Sequence, residues 1–265
     1  SGTVGVEAVK RGVGFFGADV NPVAGVIFFA KLDPGSYVAL RANVERLRMY
    51  YADVAPLVRI AKKVATALEA AVFFKVAREF SCLRYAPAPR RGRCKEGDPV
   101  KRFRELLRSA KRDVSRIPRL GDVVLADSST WMPKRVCGVL TSPPFANNVD
   151  YVRHTMLELL WLGVDLSWAR SLQLPACEAA ARSWKRGLDV ELSFGGKRAR
   201  GYRRFYSQYL YYMFRHFQLL AERLEWEAWY TIGDSTLGGV YIPVHLHLKG
   251  LAERAGLRAE IKPLG

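Results

Sequence analysis

The stretch "TSPPFANNVDY", residues 141–151, decides how the rest of the chain reads. It follows the apolar run "VCGVL" (136–140), and its two prolines have no N–H to donate and hold their predecessors extended. A strand over 136–141 therefore stops here and opens into a loop. Three further short runs close in the same way on polar or turn residues: "GFFGADV" (14–20), "DVVLA" (122–126) and "AWYTIG" (228–233).

Between these runs lie stretches with helical spacing. They are 3–11, 22–31, 54–79, 149–162, the aromatic 201–226 and 243–255. Strands alternating with helices predict an α/β fold whose sheet is mainly parallel. Parallel sheets gather ligands at the carboxyl ends of their strands. "ADVN" (18–21), "ADSS" (126–129), "TSPPF" (141–145) and "IGDS" (232–235) all fall at such ends and would share one rim.

The chain of 265 residues is long enough for one sizeable domain, and its 49% apolar content is that of a globular protein. No apolar stretch is long enough to span a membrane and no leader pattern is seen, so a soluble, intracellular protein is expected. With 42 Lys and Arg against 25 Asp and Glu the formal charge is +17, a field that attracts polyanions and favours nucleic acid as partner. A solvated basic surface is the plainer alternative. Only three Gln and four Asn beside plentiful Arg hint at a heat-adapted source. Cys82, Cys94, Cys137 and Cys177 form no CxxC pair, which argues against a zinc site; four free thiols are expected, with a Cys82–Cys94 bridge as the alternative.

Two basic stretches interrupt the α/β pattern within a single domain over 1–265. One spans about 82–119 and includes Arg90, Arg91 and Arg93. The other spans about 166–204 and includes Lys197, Arg198 and Arg200 beyond the Gly195–Gly196 turn. Both read as insertions that face a phosphate backbone and recognise the target. His245 and His247 lie two apart on a helix and face different ways, so no metal site is expected there. His154 and His216 read as packing or interface residues, and the aromatic run 202–217 reads mainly as core.

Taken together, the strand-end motifs resemble those of the DNA methyltransferases that transfer a methyl group from S-adenosylmethionine to exocyclic base nitrogens. In that family a Gly-rich turn, two acids and a (D/N/S)-P-P-(Y/F) tetrapeptide end successive strands. Here Ser1, Gly2 and Thr3 match the tail of the Gly-rich turn, Asp19 the first acid, Asp127 the second, and Ser142, Pro143, Pro144 and Phe145 the tetrapeptide. The similarity extends through 147–163 and 232–243.

The resemblance implies a Rossmann-like fold with Ser1, Gly2, Thr3, Asp19, Val20, Asp127 and Ser128 on the cofactor. Asp19 would accept the ribose hydroxyls and Asp127 an adenine amino group. Ser142 and the Pro143 carbonyl would accept the N–H bonds of the target amine, and Phe145 would stack on a base extruded from the duplex. Asn147 and Tyr151 would read the base edge or the adjoining phosphate. Each residue has a plainer role as well: Asp19 can serve a helix cap before Asn21–Pro22, Asp127 a turn, Tyr151 packing, and Asp234 a strand-end turn.

Serine in the first position is similar to the cytosine-N4 branch. Adenine-N6 or RNA substrates of the same fold, or a catalytically impaired binding relative, are the other readings. The expected setting is cytoplasmic, at the nucleoid, whether as a restriction partner or in housekeeping. The sequence opens at S-G-T, so the strand that leads into this turn in the family is expected from a preceding segment, a companion subunit, or the carboxyl-terminal "RAEIKPLG" (258–265).

Overall fold

The computed structural model of the protein describes residues 2–85, 89–114, 121–189, 191–192 and 194–263. Ser1, and Arg116 and Arg119 of the first basic stretch, lie outside the described residues. The fold is mixed α/β. Within the single domain expected from the sequence, the chain forms two compact units, Ser1–Leu125 with Val152–Ala169 and Ala126–Tyr151 with Arg170–Gly265.

In the first unit α1 (Thr3–Lys10) leads into β1 (Phe15–Asp19), α2 (Pro22–Leu32), α3 (Val44–Arg48), α4 (Ala55–Ala61), α5 (Ala67–Glu79), β2 (Leu83–Arg84), β3 (Arg90–Arg91), α6 (Pro99–Val114) and β4 (Gly121–Leu125). The chain then runs through β5 (Val136–Thr141) in the second unit. It crosses back by α7 (Tyr151–His154), continues through α8 (Met156–Leu162) and leaves again by α9 (Leu166–Leu172). The second unit is completed by α10 (Glu178–Ala181), α11 (Ala199–Ala221), β6 (Leu224–Tyr230), β7 (Ser235–Leu237), β8 (Val240–Ile242) and α12 (Val244–Arg254).

Each unit has its own core. In the first, Leu47, Leu57, Phe73, Leu157, Leu159 and Trp161 are buried, with Phe73 and Trp161 packed edge to face at 4.8 Å. In the second, α11 buries Phe205, Tyr206, Tyr209, Met213 and Leu220 against Ile242, Val244 and Leu248. That confirms the aromatic run as core.

The four expected strands form, but they pair two by two and do not line one sheet among the described residues. β1 runs parallel to β4, with Asp19 opposite Leu125. β5 runs parallel to β6, with Thr141 opposite Tyr230. Parallel strands are ordinarily covered on both faces, yet no residue of β1, β4, β5 or β6 is fully buried. Leu125 and Leu140 are more than half exposed, and Trp226 is 78% exposed.

Several expected boundaries shift for local reasons. The helix expected over 54–79 breaks at 62–66, because Thr66 accepts the Glu69 N–H while the Glu69 carboxylate accepts the Thr66 N–H, a capping box that starts a new helix. The helix expected over 149–162 is likewise two pieces. α11 ends at Ala221 rather than 226, and the strand expected over 228–233 spans Leu224–Tyr230 as β6. Residues 258–263 adopt no strand.

The expectation of four free thiols is corrected. Cys82 and Cys94 are joined, because the β2–β3 hairpin pairs Leu83 with Arg91 and the Gly92 N–H donates to the Cys82 carbonyl at 2.7 Å, which brings the flanks together. Cys137 is exposed and Cys177 buried, both free. Thiol titration of the unreduced protein in denaturant should count two reactive thiols. Four would show the hairpin unbridged.

Candidate functional site

In the first unit the local chemistry of the Gly-rich turn is visible at Gly2. Its φ is 70°, the left-handed region, and a Cβ there would come within 3.1 Å of the Phe28 ring and 3.3 Å of the Phe28 Cα. Glycine is required on both counts. Gly2 is the N-cap of α1 and has no side chain with which to cap it. Thr3 opens the helix, and Gly5 lies so close to Phe15 and Phe28 that a Cβ would contact both rings at under 3.0 Å. Gly2 and Gly5 thus let α1 press onto β1 and α2.

Asp19 ends β1. Its Oδ1 accepts the Asn21 N–H at 2.8 Å, and Asn21 in turn caps α2 by accepting the Val23 N–H at 3.0 Å and donates to Thr155 Oγ1 at 3.1 Å. The helix cap is therefore Asn21, with Asp19 bracing the turn before it. Burial pushes the Asp19 pKa above the usual carboxylate range, against the pull of the Asn21 bond. Val20 is the partly buried residue between them.

The remaining strand-end residues belong to the second unit. Asp127 Oδ1 accepts the Ser129 N–H at 2.8 Å, and its carbonyl accepts the Thr130 and Trp131 N–H groups, so Asp127 shapes the turn after β4. This turn is tied to α11 at two points: Ser128 Oγ meets the Tyr212 hydroxyl at 3.0 Å, and the Ser128 carbonyl accepts from His216 Nδ1 at 2.9 Å. Since a carbonyl can only accept, the His216 proton sits on Nδ1 and Nε2 accepts from the Tyr230 hydroxyl. His216 is thus a neutral anchor of the Asp127 turn, a role beyond the packing expected from its place in an aromatic run.

Ser142 is exposed at the end of β5, where its hydroxyl donates to the Thr231 carbonyl at 3.3 Å. The Thr231 N–H donates back to the Thr141 carbonyl at 3.0 Å, continuing the β5–β6 pairing by one step. With its proton so committed, Ser142 Oγ offers lone pairs outward. Pro143 and Pro144 are partly buried, and the Phe145 ring lies over Gly233, 3.6 Å from where a Cβ would stand. The "TSPPF" and "IGDS" loops therefore meet at one end of the parallel pair.

Of the paired asparagines, Asn147 is exposed. Asn148 is the anchor: it has φ 62°, its Oδ1 accepts the Glu178 N–H at 3.0 Å, and its own N–H donates to the Ala176 carbonyl at 3.1 Å. Tyr151 packs against the second core, and burial raises its pKa against the pull of the Phe145 backbone. Asp234 holds His245 Nδ1 at 2.6 Å and the Tyr241 hydroxyl, which fastens the β7–β8 hairpin to the start of α12. Burial opposes its ionisation, but those bonds outweigh burial and hold its pKa below the usual range.

The basic candidates are all exposed. Arg90, Arg91 and Arg93 lie on and just beyond the β2–β3 hairpin of the first unit, and Lys197, Arg198 and Arg200 at the amino end of α11 in the second. None has an ion-pair partner among the described residues. No group of three or more His, Cys, Asp or Glu is placed to hold a metal among those residues, and none of their helices is long and apolar enough to cross a membrane. Compared with protein-family models, curated proteins and solved structures, the chain matches none.

The His216 network carries a pH dependence. Burial pushes its pKa down, against the pull of the Ser128 carbonyl and Asp127. The folded state therefore binds fewer protons than the unfolded one, and stability is lost as pH falls below about 6.5, the unfolded histidine value. Thermal melts at pH 8 and pH 5.5 should show this loss. His216→Phe should melt lower at pH 8, by about 1–3 kcal/mol for the partners left unpaired, with a shallower pH dependence. An unchanged pH slope would remove the histidine from this account.

Proposed function

We propose that the protein is an S-adenosylmethionine-dependent DNA methyltransferase that acts on the exocyclic amino group of an extruded base, cytosine-N4 by preference. The observation that carries the proposal is Ser142 at the end of parallel β5, its hydroxyl proton directed to Thr231 and its lone pairs left for a donor. An exocyclic amine is a poor nucleophile, since its lone pair is delocalised into the ring. Acceptors on both N–H bonds hold it in line with the methyl group and draw charge back to nitrogen.

Ser142 Oγ and the Pro143 carbonyl supply those acceptors, with Phe145 as the stacking face. A ring-locked backbone without N–H suits the task because the carbonyl has no neighbouring donor to turn towards. S-adenosylmethionine supplies the electrophilic methyl group when bound. The residues that the resemblance assigns to it are Gly2, Thr3, Asp19 and Val20 in the first unit and, in the second, Asp127 and Ser128. Transfer would be a direct displacement with no covalent enzyme intermediate, Ser142 Oγ and the Pro143 carbonyl holding the amine N–H bonds and the amine proton passing to solvent.

A Rossmann-like parallel sheet is part of this reading. The apolar side chains that each strand pair leaves exposed support a covering element from a companion segment or subunit. The charge of +17 and the exposed Arg90, Arg91, Arg93, Lys197, Arg198 and Arg200 support DNA as the partner, with RNA the competing polyanion.

Mass analysis of nucleosides from DNA and RNA incubated with the protein and the cofactor should show N4-methylcytosine from DNA. N6-methyladenine, or methylation confined to RNA, would reassign the substrate. Ser142→Ala should lower the transfer rate by roughly 100-fold or more, the scale of losing a positioned proton acceptor, while calorimetry finds cofactor affinity unchanged. Undiminished transfer in Ser142→Ala with Phe145→Ala would refute the assignment.

A further inference from the structure

The loop that follows Ser142–Phe145 is fastened to the second basic stretch. Ala146 is fully buried, and the Asn147 N–H donates to the Phe145 carbonyl at 2.8 Å, so the chain turns sharply there. Asn148 comes next and is the one non-glycine residue with a positive φ among the described residues. Asparagine tolerates this left-handed backbone better than most residues, but surrounding bonds must hold it there. Three bonds do so: the Asn148 N–H donates to the Ala176 carbonyl at 3.1 Å, its Oδ1 accepts the Glu178 N–H at 3.0 Å, and its Nδ2 donates to Glu178 Oε1 at 3.5 Å.

The Glu178 carboxylate carries the tie onward to α11. While Oε1 meets Asn148, Oε2 lies against Gly201, 2.5 Å from where a Cβ on that residue would stand. Gly201 is in the first turn of α11, directly after Lys197, Arg198 and Arg200. Glycine weakens a helix relative to alanine, and here it admits the carboxylate. A second tie runs beside the first: Arg170 Nη2 meets Asp150 Oδ2 at 3.3 Å, both side chains being partly buried. Residues 148 and 150 are thus each bound to the basic stretch, one towards α11 and one at α9.

A continuous line of packed and hydrogen-bonded groups can carry position from one end to the other. Here it runs from the cationic end of α11 through Gly201, Glu178 and Asn148 to Phe145, three residues before Asn148 across a tight turn. We infer that Asn148 and Glu178 are positioning residues that couple a DNA backbone held at Lys197, Arg198 and Arg200 to the geometry of the Ser142–Phe145 loop. The loop takes its working shape when the amino end of α11 is occupied. This rests on the reading of DNA as partner and of Ser142–Phe145 as the reacting loop, and adds how the first controls the second.

Hydrogen exchange of the full chain, read by mass spectrometry with and without a saturating DNA duplex, tests the coupling apart from catalysis. The duplex should slow the amides of 197–204 and, with them, those of 145–151. Asn148→Asp sets a second carboxylate against Glu178, so the slowing at 145–151 should fall at least threefold while that at 197–204 persists. Adding Glu178→Gln removes the repulsion, restores the formal charge and should return the slowing to within twofold. Gly201→Ala displaces the Glu178 carboxylate without changing charge. It favours the helix, so the chain stays folded, yet it should uncouple the loop as Asn148→Asp does. In transfer assays both uncoupled variants should lose at least tenfold in kcat with KM for the duplex within threefold, and Asn148→Asp with Glu178→Gln should recover. Slowing of both segments without methyl transfer would remove the methyltransferase reading and keep the coupling. The inference is overturned if the duplex slows only 197–204 or neither segment in the unmutated chain, or if slowing at 145–151 survives in Gly201→Ala. Failure of Glu178→Gln to restore what Asn148→Asp removes overturns it as well.

Discussion

Ser142 can present its lone pairs only because β5 and β6 run parallel and, past an irregularity between Val136 and Gly138, keep one register from Gly138 to Thr141. Thr141 stands opposite Tyr230, so the next residue on each strand, Ser142 and Thr231, meet beyond the last paired step. The two prolines that follow cannot extend the ladder, and the chain turns away with its hydroxyl already committed as a donor. The placement of Phe145 over Gly233 follows from the same register. A slip of one residue would send these side chains to the opposite face.

The second constraint is α11. Its aromatic stripe looks like simple core, and much of it is. Yet Tyr206 bonds His247 Nδ1 at 2.6 Å, Tyr212 holds Ser128, His216 joins Ser128 to Tyr230, and Gln208 holds the Trp184 carbonyl. Polar groups buried in this way must be satisfied, and each satisfied group pins a loop. One helix therefore sets the Asp127 turn and braces the end of β6. The hydrophobic contacts hold α11 in place, and the polar tips fix what surrounds it.

Much of this was legible in the sequence because it is local. The ends of β1, β4 and β5, the Gly2 turn and the stop at Ser142 follow from chain stiffness and periodicity. The break before α5 was equally legible, since Thr66 and Glu69 spell a capping box, but the apolar spacing on either side masked it. Asn147 and Asn148 show the limit. Identical residues side by side take different roles because only Asn148 sits in the left-handed turn that brings it to Glu178. The Cys82–Cys94 bridge was one of two readings until the β2–β3 hairpin brought the cysteines together.

By itself the sequence determined the alternation of strands and helices, the turn chemistry at each strand end and the strongly cationic character, because propensity, proline geometry and net charge depend on near neighbours or on a sum. Tertiary structure alone decided that the strands pair as β1 with β4 and β5 with β6, that His216 is a neutral anchor, and that Cys82 meets Cys94. Those outcomes rest on contacts between residues far apart in the chain, and on which buried polar group finds a partner. Neither is written in any local pattern.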